Sequence, residues 1–239
     1  VRVSLTEAPE LEAPVAQKLI DRYSNRKGHA PIAAIEFNPI NPFQYHKRKS
    51  REVINIGNRN VPRVIADIRG LKTPVVSDLK SLGHFYLPEP DKWRMNDQGC
   101  DYVYSGKNEV HFMLPNGLRE LIDYPAWNKL EDKKNRHPVF TLSELEVAES
   151  SDEEINFLKL DSDEISEDVM SLLEVSNLVV LLSTSNEHAM PALRRFFFAL
   201  ERRNLEVPVI IVRNYTIRDE EEFLIHASTD MGGLLIEGY

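Results

Sequence analysis

Seven histidines and one cysteine are the side chains of this sequence best suited to hold a metal ion or to act as a nucleophile. The histidines show no HxxxH or HExxH spacing, so no helix is predicted to present two of them to a metal. The single cysteine, Cys100, excludes an internal disulfide and a cysteine-only zinc or iron–sulfur site built by this chain alone. The sequence also lacks a GxGxxG pattern, a Walker loop and a GxSxG elbow. Motifs therefore predict neither a metal site nor a catalytic residue.

Two charged stretches are the next candidates for binding. The stretch Glu144–Asp168 carries eleven carboxylates in 25 residues, and Asp161 and Asp163 are similar to the start of a calcium loop but lack the glycine that follows in such a loop. The basic run 45–51 follows Phe43 and could contact anions or another domain. A solvated acidic face and a surface linker are the favoured interpretations, and cation binding and anion contact stay open as alternatives.

Polar residues after a predicted strand form a third candidate. Arg213–Tyr215 and Arg218–Glu220 follow the run Val209–Val212, and α/β folds place ligand-binding loops at the carboxyl ends of their strands. Asp219 and the glutamates after it suit equally well the first turn of a helix that runs to His226. A ligand site and helix capping are therefore equal alternatives for this segment.

Short apolar runs indicate the elements that would position these residues. Eight runs after residue 60 are predicted as strands: Val64–Ile68, Tyr102–Tyr104, Val110–Leu114, Val139–Leu142, Ile155–Leu160, Leu178–Leu182, Val209–Val212 and Leu234–Ile236. The sixth and seventh runs are continuously apolar, which is typical of strands covered on both faces in a parallel sheet. Between them, Pro191–Arg203 is predicted as a helix because Leu193, Phe196, Phe197 and Leu200 share one face.

This alternation of strands and helices predicts an α/β fold with a parallel sheet. A doubly wound sheet and a (β/α)8 barrel both fit the order, and eight runs favour a TIM-barrel-like domain over residues 61–239. The barrel is expected to be incomplete or irregular, because residues 71–100 have poor helical periodicity and His84–Leu87 could add a strand. Val1–Leu5 alternates as a strand and precedes a helical segment, so one βα unit is predicted before a linker over residues 26–60.

Composition places the chain among ordinary globular proteins. Its 239 residues are 42% apolar and 28% charged, and 29 basic against 38 acidic side chains give a net charge of −9. The negative charge opposes general attraction to nucleic acid or anionic lipid. No segment approaches 18 consecutive apolar residues, and the first residues lack the regions of a signal peptide, so we expect no membrane contact and a cytoplasmic location. The start at Val1 and the stop at Tyr239, directly after an apolar run, lead us to expect a fragment.

Two segments near the ends of the chain carry a resemblance to a known family. They are Val-Arg-Val-Ser-Leu-Thr-Glu-Ala-Pro-Glu at 1–10 and Arg-Asp-Glu-Glu-Glu-Phe-Leu-Ile-His-Ala-Ser-Thr-Asp-Met-Gly-Gly-Leu-Leu-Ile-Glu-Gly at 218–238. Together they resemble the large, insert-containing form of the 4-hydroxy-3-methylbut-2-enyl diphosphate synthase (IspG/GcpE) family. The resemblance implies that residues 1–25 are the last strand and helix of a catalytic TIM barrel, and that 61–239 form an inserted TIM-like domain that acts as a spacer.

The resemblance also implies the chemistry of the parent protein. Members of this family are oxidoreductases of the non-mevalonate (MEP) isoprenoid pathway, and they reductively convert 2-C-methyl-D-erythritol 2,4-cyclodiphosphate to 4-hydroxy-3-methylbut-2-enyl diphosphate. A 4Fe–4S cluster, whose ligands would lie outside this chain, supplies electrons that come from ferredoxin or flavodoxin. The expected partners are the remaining domains of the same enzyme and that electron donor, and a homodimer is left open. The chain alone is expected to be inactive.

Arg2 and Ser4 are the site residues that the resemblance implies, because they match the R-x-S pattern with which the family binds the substrate diphosphate. No catalytic or metal-binding residue is carried over. Two other functions stay open from the residues themselves. One is an independent TIM-barrel enzyme acting on a small phosphorylated metabolite, with loops at Arg213–Arg218 and near Asn186 and His188. The other is a docking module for the electron donor, which would use the basic run or the acidic stretch.

Overall fold

Seven short strands form one all-parallel sheet in the computed structural model, which describes residues 8–24, 32, 34–148, 151–217 and 219–239. The strands are β1 (Ile65–Asp67), β2 (His84–Leu87), β3 (Lys92–Met95), β4 (Tyr102–Gly106), β5 (Arg119–Asp123), β6 (Arg136–Phe140), β7 (Asn156–Asp161), β8 (Leu178–Ser183) and β9 (Val209–Ile211). Of these nine described strands, seven form the parallel sheet, while β2 and β3 form a separate antiparallel hairpin. The sheet order β1-β4-β5-β6-β7-β8-β9 never reverses. The predicted α/β fold with a parallel sheet is confirmed, and the doubly wound alternative, which needs a reversal, is wrong.

The sheet is curled, because residues of both edge strands pack into one cluster on its inner face. Ile65 of β1 and Ile210 of β9 contact the same group of buried side chains. That group consists of Val53, Ile56, Tyr102, Tyr104, Leu121, Val139, Ile155, Phe157, Val179 and Leu181. Alternate residues of each strand point inward, as the period of two in a strand requires. The sheet therefore has the shape of a half-barrel with a filled interior.

Helices follow most of the strands. The described helices are α1 (Pro9–Ser24), α2 (Tyr124–Trp127), α3 (Leu142–Val147), α4 (Glu167–Leu172), α5 (Met190–Arg202), α6 (Glu220–Ala227) and α7 (Gly233–Glu237), with a 3-10 turn at Val76–Leu82 and a π-helical turn at Ser228–Gly232. Helix α5 buries Leu193, Phe196, Phe197 and Leu200 against the outer face of the sheet, which confirms the predicted stripe. Each such side chain contributes about 1.5–3 kcal/mol by leaving water. None of the described helices is both long and apolar enough to span a membrane.

Two of the predicted strands are wrong. Val110–Leu114 is irregular, because the backbone N–H of Val110 donates to the buried Glu120 carboxylate at 2.8 Å rather than to a neighbouring strand. Leu234–Ile236 lies in helix α7, where Leu234 is buried while Leu235 and Ile236 are exposed. Only one of these three apolar residues has a place in the core, so the run fits one face of a helix rather than a covered strand.

Strands β3 and β5 have no counterpart among the predicted runs. In β5, charged Arg119, Glu120 and Asp123 interrupt the apolar pattern. Glu120 is nevertheless fully buried, because Ser105 Oγ donates to it at 2.6 Å and the Arg136 guanidinium lies 3.3 Å away. The run His84–Leu87 does form a strand, but in the separate hairpin with β3.

Part of the predicted linker 26–60 packs against the sheet domain. The buried Arg48 guanidinium donates to two backbone carbonyls just before β9. Val53 and Ile56 form a short bridge and are 3% and 4% exposed within the inner cluster. At the start of the chain, the predicted strand Val1–Leu5 lies outside the described residues, and the helix predicted after it is α1.

Candidate functional site

Five polar side chains gather at the carboxyl ends of strands β1, β4, β5 and β7. The Tyr104 hydroxyl and the Lys159 ammonium both donate to Asp123 Oδ1, the ammonium at 2.8 Å. Asp67 and Arg69 form a two-pronged ion pair with distances of 2.6 and 2.9 Å. These five residues are called the edge cluster below. The carboxyl ends of parallel strands are the usual place for ligands in α/β folds, so this is the first candidate site.

The electrostatics of the edge cluster centre on the Tyr104 ring. The Arg69 guanidinium carbon lies 4.6 Å and the Lys159 nitrogen 5.0 Å from the ring centroid, within the range of cation–π attraction. Burial, with the hydrogen bond to Asp123, raises the pKa of Tyr104, and hydrogen bonds from Arg69 lower the pKa of Asp67. At neutral pH the phenol is therefore protonated and the Asp67 carboxylate is ionised.

Gly106 at the end of β4 allows this close arrangement. Its φ of +66° is in the left-handed region, and a Cβ atom there would lie 2.9 Å from Arg69 Cγ. Glycine therefore removes both a backbone strain and a steric barrier to the approach of the Arg69 side chain.

The charges of the edge cluster balance one another. Its two cations, Arg69 and Lys159, are matched by two carboxylates, Asp67 and Asp123, so the cluster offers an anionic ligand no net positive charge. Such a cluster fastens the strand ends to one another more readily than it activates a substrate. The sequence contains one signal for it, since Lys159 interrupts the apolar run Ile155–Leu160 at an inward position.

A second polar group joins helix α1 to the far end of the sheet domain. The Arg22 side chain is 3% exposed, and its three nitrogens all have acceptors. Nε donates to Thr229 Oγ1 at 2.9 Å, Nη1 to His226 Nδ1 at 2.8 Å, and Nη2 to Asp230 Oδ1 at 2.6 Å and, more weakly, to the Glu187 carbonyl at 3.4 Å. These four acceptor residues are called the arginine socket below.

Asp230, at the base of the arginine socket, is 1% exposed and is held by the sheet domain itself. Arg213 Nε donates to its Oδ2 at 3.0 Å and the Tyr215 hydroxyl at 2.9 Å, while the backbone N–H of Ala189 approaches Oδ1 at 3.3 Å. Burial, with the hydrogen bond to Asp230, raises the pKa of Tyr215 to about 12, so its hydroxyl remains a donor. The carboxylate is thus oriented by three donors on two different segments before Arg22 is considered.

The structure locates the residues that sequence reasoning singled out. Arg2 and Ser4, as well as Arg218, lie outside the described residues. Asp219 is the N-cap of α6 and accepts from the backbone N–H of Glu222 at 2.8 Å, which confirms the capping alternative for that residue. The other loop candidates also have partners within the protein. Arg213 and Tyr215 donate to Asp230, and Asn186 donates to Thr184. The His188 ring stacks on Tyr23 of α1, with ring centroids 4.7 Å apart.

The described residues do not fit an iron–sulfur cluster or another metal. Across 8–24, 32, 34–148, 151–217 and 219–239, no three His, Cys, Asp or Glu side chains are grouped so that they could hold a metal ion. Cys100 is 4% exposed among Ile68, Leu79 and Val103. Burial raises the pKa of its thiol to about 11, so it is a protonated core side chain and not a thiolate ligand.

Comparison with known proteins finds similarity along the whole chain. It is 31% identical over 243 residues to 4-hydroxy-3-methylbut-2-en-1-yl diphosphate synthase (flavodoxin) of Parabacteroides distasonis, covering all of this chain and 36% of that protein. The synthases of the same name from Phocaeicola vulgatus and Porphyromonas gingivalis are 31% and 24% identical, again over all of this chain and over 35% and 32% of theirs. The chain therefore spans about a third of the length of the curated relatives it matches.

The family resemblance carried by the two end segments is thereby confirmed, and it extends through the middle of the chain. No family model matches the chain, and no solved structure matches it.

Proposed function

We propose that this chain, similar throughout to about a third of 4-hydroxy-3-methylbut-2-en-1-yl diphosphate synthases, is mainly the inserted domain of such an enzyme. The parent protein would reductively convert 2-C-methyl-D-erythritol 2,4-cyclodiphosphate to 4-hydroxy-3-methylbut-2-enyl diphosphate. The observation that carries this proposal is the similarity over the full chain to relatives with that name.

In this proposal the chain contributes architecture rather than chemistry. The uninterrupted order of seven parallel strands and their curl support a TIM-like domain, incomplete as a barrel, over residues 61–239. The balanced charges of the edge cluster and the buried Cys100 support a spacer without a redox centre. The 4Fe–4S cluster of the parent would be held by residues outside this chain, and it would supply the two electrons for reductive ring opening.

The remaining assignments follow from the same proposal. Residues 1–25 would be the last strand and helix of the catalytic barrel, with a connecting segment over 26–60. Arg2 and Ser4 would bind diphosphate oxygens through a guanidinium and a hydroxyl. The word flavodoxin in the names of the relatives favours flavodoxin over ferredoxin as electron donor. The parent would act in the cytoplasm, in contact with its own further domains.

Anaerobic turnover of the cyclodiphosphate tests the proposal. The full-length parent, with reconstituted cluster and reduced flavodoxin, is compared with Arg2→Ala, Ser4→Ala and the surface control Arg202→Ala, and with this chain alone. We expect an active parent, an unaffected control, an inert chain and losses of about tenfold or more in the two site variants, since charged hydrogen bonds are worth about 1.5–3 kcal/mol each. An inactive parent refutes the function, and turnover by this chain alone refutes the spacer role.

One observation favours a second candidate, an independent barrel enzyme acting on a phosphorylated metabolite. The edge cluster lies where such enzymes bind substrate, and Arg69 and Lys159 are 42% and 35% exposed. Calorimetric titration of this chain with inorganic phosphate and with a triose phosphate separates the two candidates. Binding that disappears in Lys159→Met supports the enzyme, whereas no heat of binding supports the spacer.

A further inference from the structure

We propose that the arginine socket is the joint that holds helix α1, and with it the catalytic barrel of the parent synthase, at a fixed orientation to the sheet domain. The inference rests on the proposed function, which assigns residues 1–25 to that barrel. The partner recognised by the socket is thus a guanidinium on a helix of the same polypeptide, and Arg22 is a positioning residue rather than a catalytic one.

The socket is specific for arginine. Its acceptors face all three side-chain nitrogens of Arg22, from Thr229 on one side, His226 on another and Asp230 at the base. A lysine offers one ammonium and cannot reach three acceptors spread around a planar fork. The geometry therefore fixes the direction of the Arg22 side chain as well as its position.

The described apolar side chains of α1 are not fully buried, although Val15, Ala16 and Leu19 are half-buried and the Tyr23 ring stacks on the buried His188 ring with centroids 4.7 Å apart. Leu11 and Ile20 are 53% and 36% exposed, and Tyr23 is 40% exposed. A helix secured mainly by packing would bury one apolar stripe completely, and α1 does not.

The polar contacts of α1 are Lys18 with Asp219 at 3.0 Å and with Glu221, and Arg22 in the socket. The Lys18 pairs are exposed and contribute little, so Arg22 is the buried polar anchor of α1.

The socket itself is rigidly seated on the sheet domain. Arg213 and Tyr215, beyond the carboxyl end of β9, and the backbone N–H of Ala189, beyond β8, all donate to Asp230. The π-helical turn Ser228–Gly232 places Thr229 and Asp230 toward α1. A guanidinium that binds there is fixed relative to the ends of two strands, which is what a joint between two bodies requires.

The joint has a built-in sensitivity to acid. Because Arg22 donates to Nδ1 of His226, that nitrogen must carry no proton in the docked state. The groups facing the ring are Arg22 from α1, Glu222 of the same helix at 3.9 Å, Asp230 from the π-helical turn, Glu187 from the loop after β8, and the Tyr215 ring. Burial of the ring and the Arg22 charge lower the pKa of His226, so protonation and docking oppose each other.

The test uses the full-length parent with its cluster and three variants. Arg22→Met removes the guanidinium, Arg22→Lys keeps one charge, and Arg202→Met is a matched control at a 61% exposed arginine. The readouts are amide hydrogen exchange over the π-helical turn, the melting temperature, and kcat and KM for the cyclodiphosphate.

We expect Arg22→Met to speed exchange in the π-helical turn about tenfold and to lower kcat by about tenfold to a hundredfold with KM within twofold, as expected for misplacement of a reacting domain. The exchange rate and kcat of Arg22→Lys should lie between those of Arg22→Met and wild type, and those of Arg202→Met should equal the wild-type values. If Arg22→Met fails to fold, Arg22→Lys alone must show the lowered kcat. A wild-type kcat in the folded Arg22 variants overturns the joint. A wild-type parent without turnover overturns the proposed function instead, and the exchange data then decide whether the socket holds α1.

Discussion

Replacing Asp230 by asparagine should lower the free energy of unfolding by about 3–5 kcal/mol. The side chain is 1% exposed, and its partners Arg22 and Arg213 are 3% and 12% exposed, so neither guanidinium can recover a water shell in place of the lost carboxylate. Asparagine keeps the shape and one acceptor oxygen. The loss is therefore mainly the cost of leaving two buried cations without a counter-charge.

Asp163 provides the matched control for this substitution. It pairs with Arg195 at 3.4 Å but its side chain is 63% exposed, so Asp163→Asn should cost less than about 1 kcal/mol. Urea unfolding at pH 7 followed by circular dichroism measures both. With a slope of about 2–3 kcal/mol per molar urea, Asp230→Asn should move the midpoint down by about 1–2 M and Asp163→Asn by less than about 0.5 M.

The reasoning also makes a claim about coupling. Once Asp230 is neutral, Arg22→Met should add much less destabilisation than it does in the wild-type background, because the two changes remove the same buried interaction. Equal midpoint shifts for Asp230→Asn and Asp163→Asn, or additive losses in the double variant, would refute the view that buried charge complementarity holds this end of the domain.

Three further outcomes are expected. Gly106→Ala should cost about 1–2 kcal/mol, from its φ of +66° and a 2.9 Å contact, whereas Gly70→Ala, with no atom within 4 Å, should stay within about 0.5 kcal/mol; thermal melts that rank them equally contradict this. Phe196→Ala should cost about 3–5 kcal/mol because the ring is fully buried, while Phe43→Ala at 96% exposure should be nearly neutral in urea unfolding. Docking of α1 should weaken as the pH falls below about 6.5, because an undocked His226 ring titrates there while its docked pKa is lower; protection factors of the α1 amides, corrected for the intrinsic pH dependence of exchange, that stay constant from about pH 7.5 to 5 disprove this.

Elements with a strong local pattern were predictable. Strands β8 and β9 are nearly continuous apolar runs, as is typical of strands in a covered parallel sheet. Helix α5 carries an apolar stripe at helical spacing, because one face of it is buried against the sheet. Strand β5 could not be predicted from a local pattern, because it contains the buried carboxylate of Glu120. That side chain is stabilised by hydrogen bonds from Ser105 and the Val110 backbone and by the Arg136 guanidinium, which lie 10 to 16 residues away in the sequence. Leu234–Ile236 has the composition of a strand but forms a helix, because Leu234 alone packs into the core while Leu235 and Ile236 remain exposed.

The candidate sites show the same division. Apart from the interruption at Lys159, no local pattern marks Tyr104 and Asp123, because these residues come from different strands and meet only when the strands pair and the sheet curls. Likewise Arg22 and Asp230 are 208 residues apart in the chain and meet only in the folded domain. A motif search reads neighbours in sequence, and it cannot find groups whose proximity depends on the register of a sheet.

The sequence by itself determined the α/β class, the parallel covered strands, the helix at α5, the N-cap at Asp219 and, through its two end segments, the resemblance to the synthases. These depend on short-range patterns of burial, capping and residue identity. The tertiary structure alone decided the sequential strand order, the curl that forms the edge cluster, and the socket that takes up Arg22. The physical reason is that a buried charge is stable only beside its partner, and which partner it has depends on how distant segments pack.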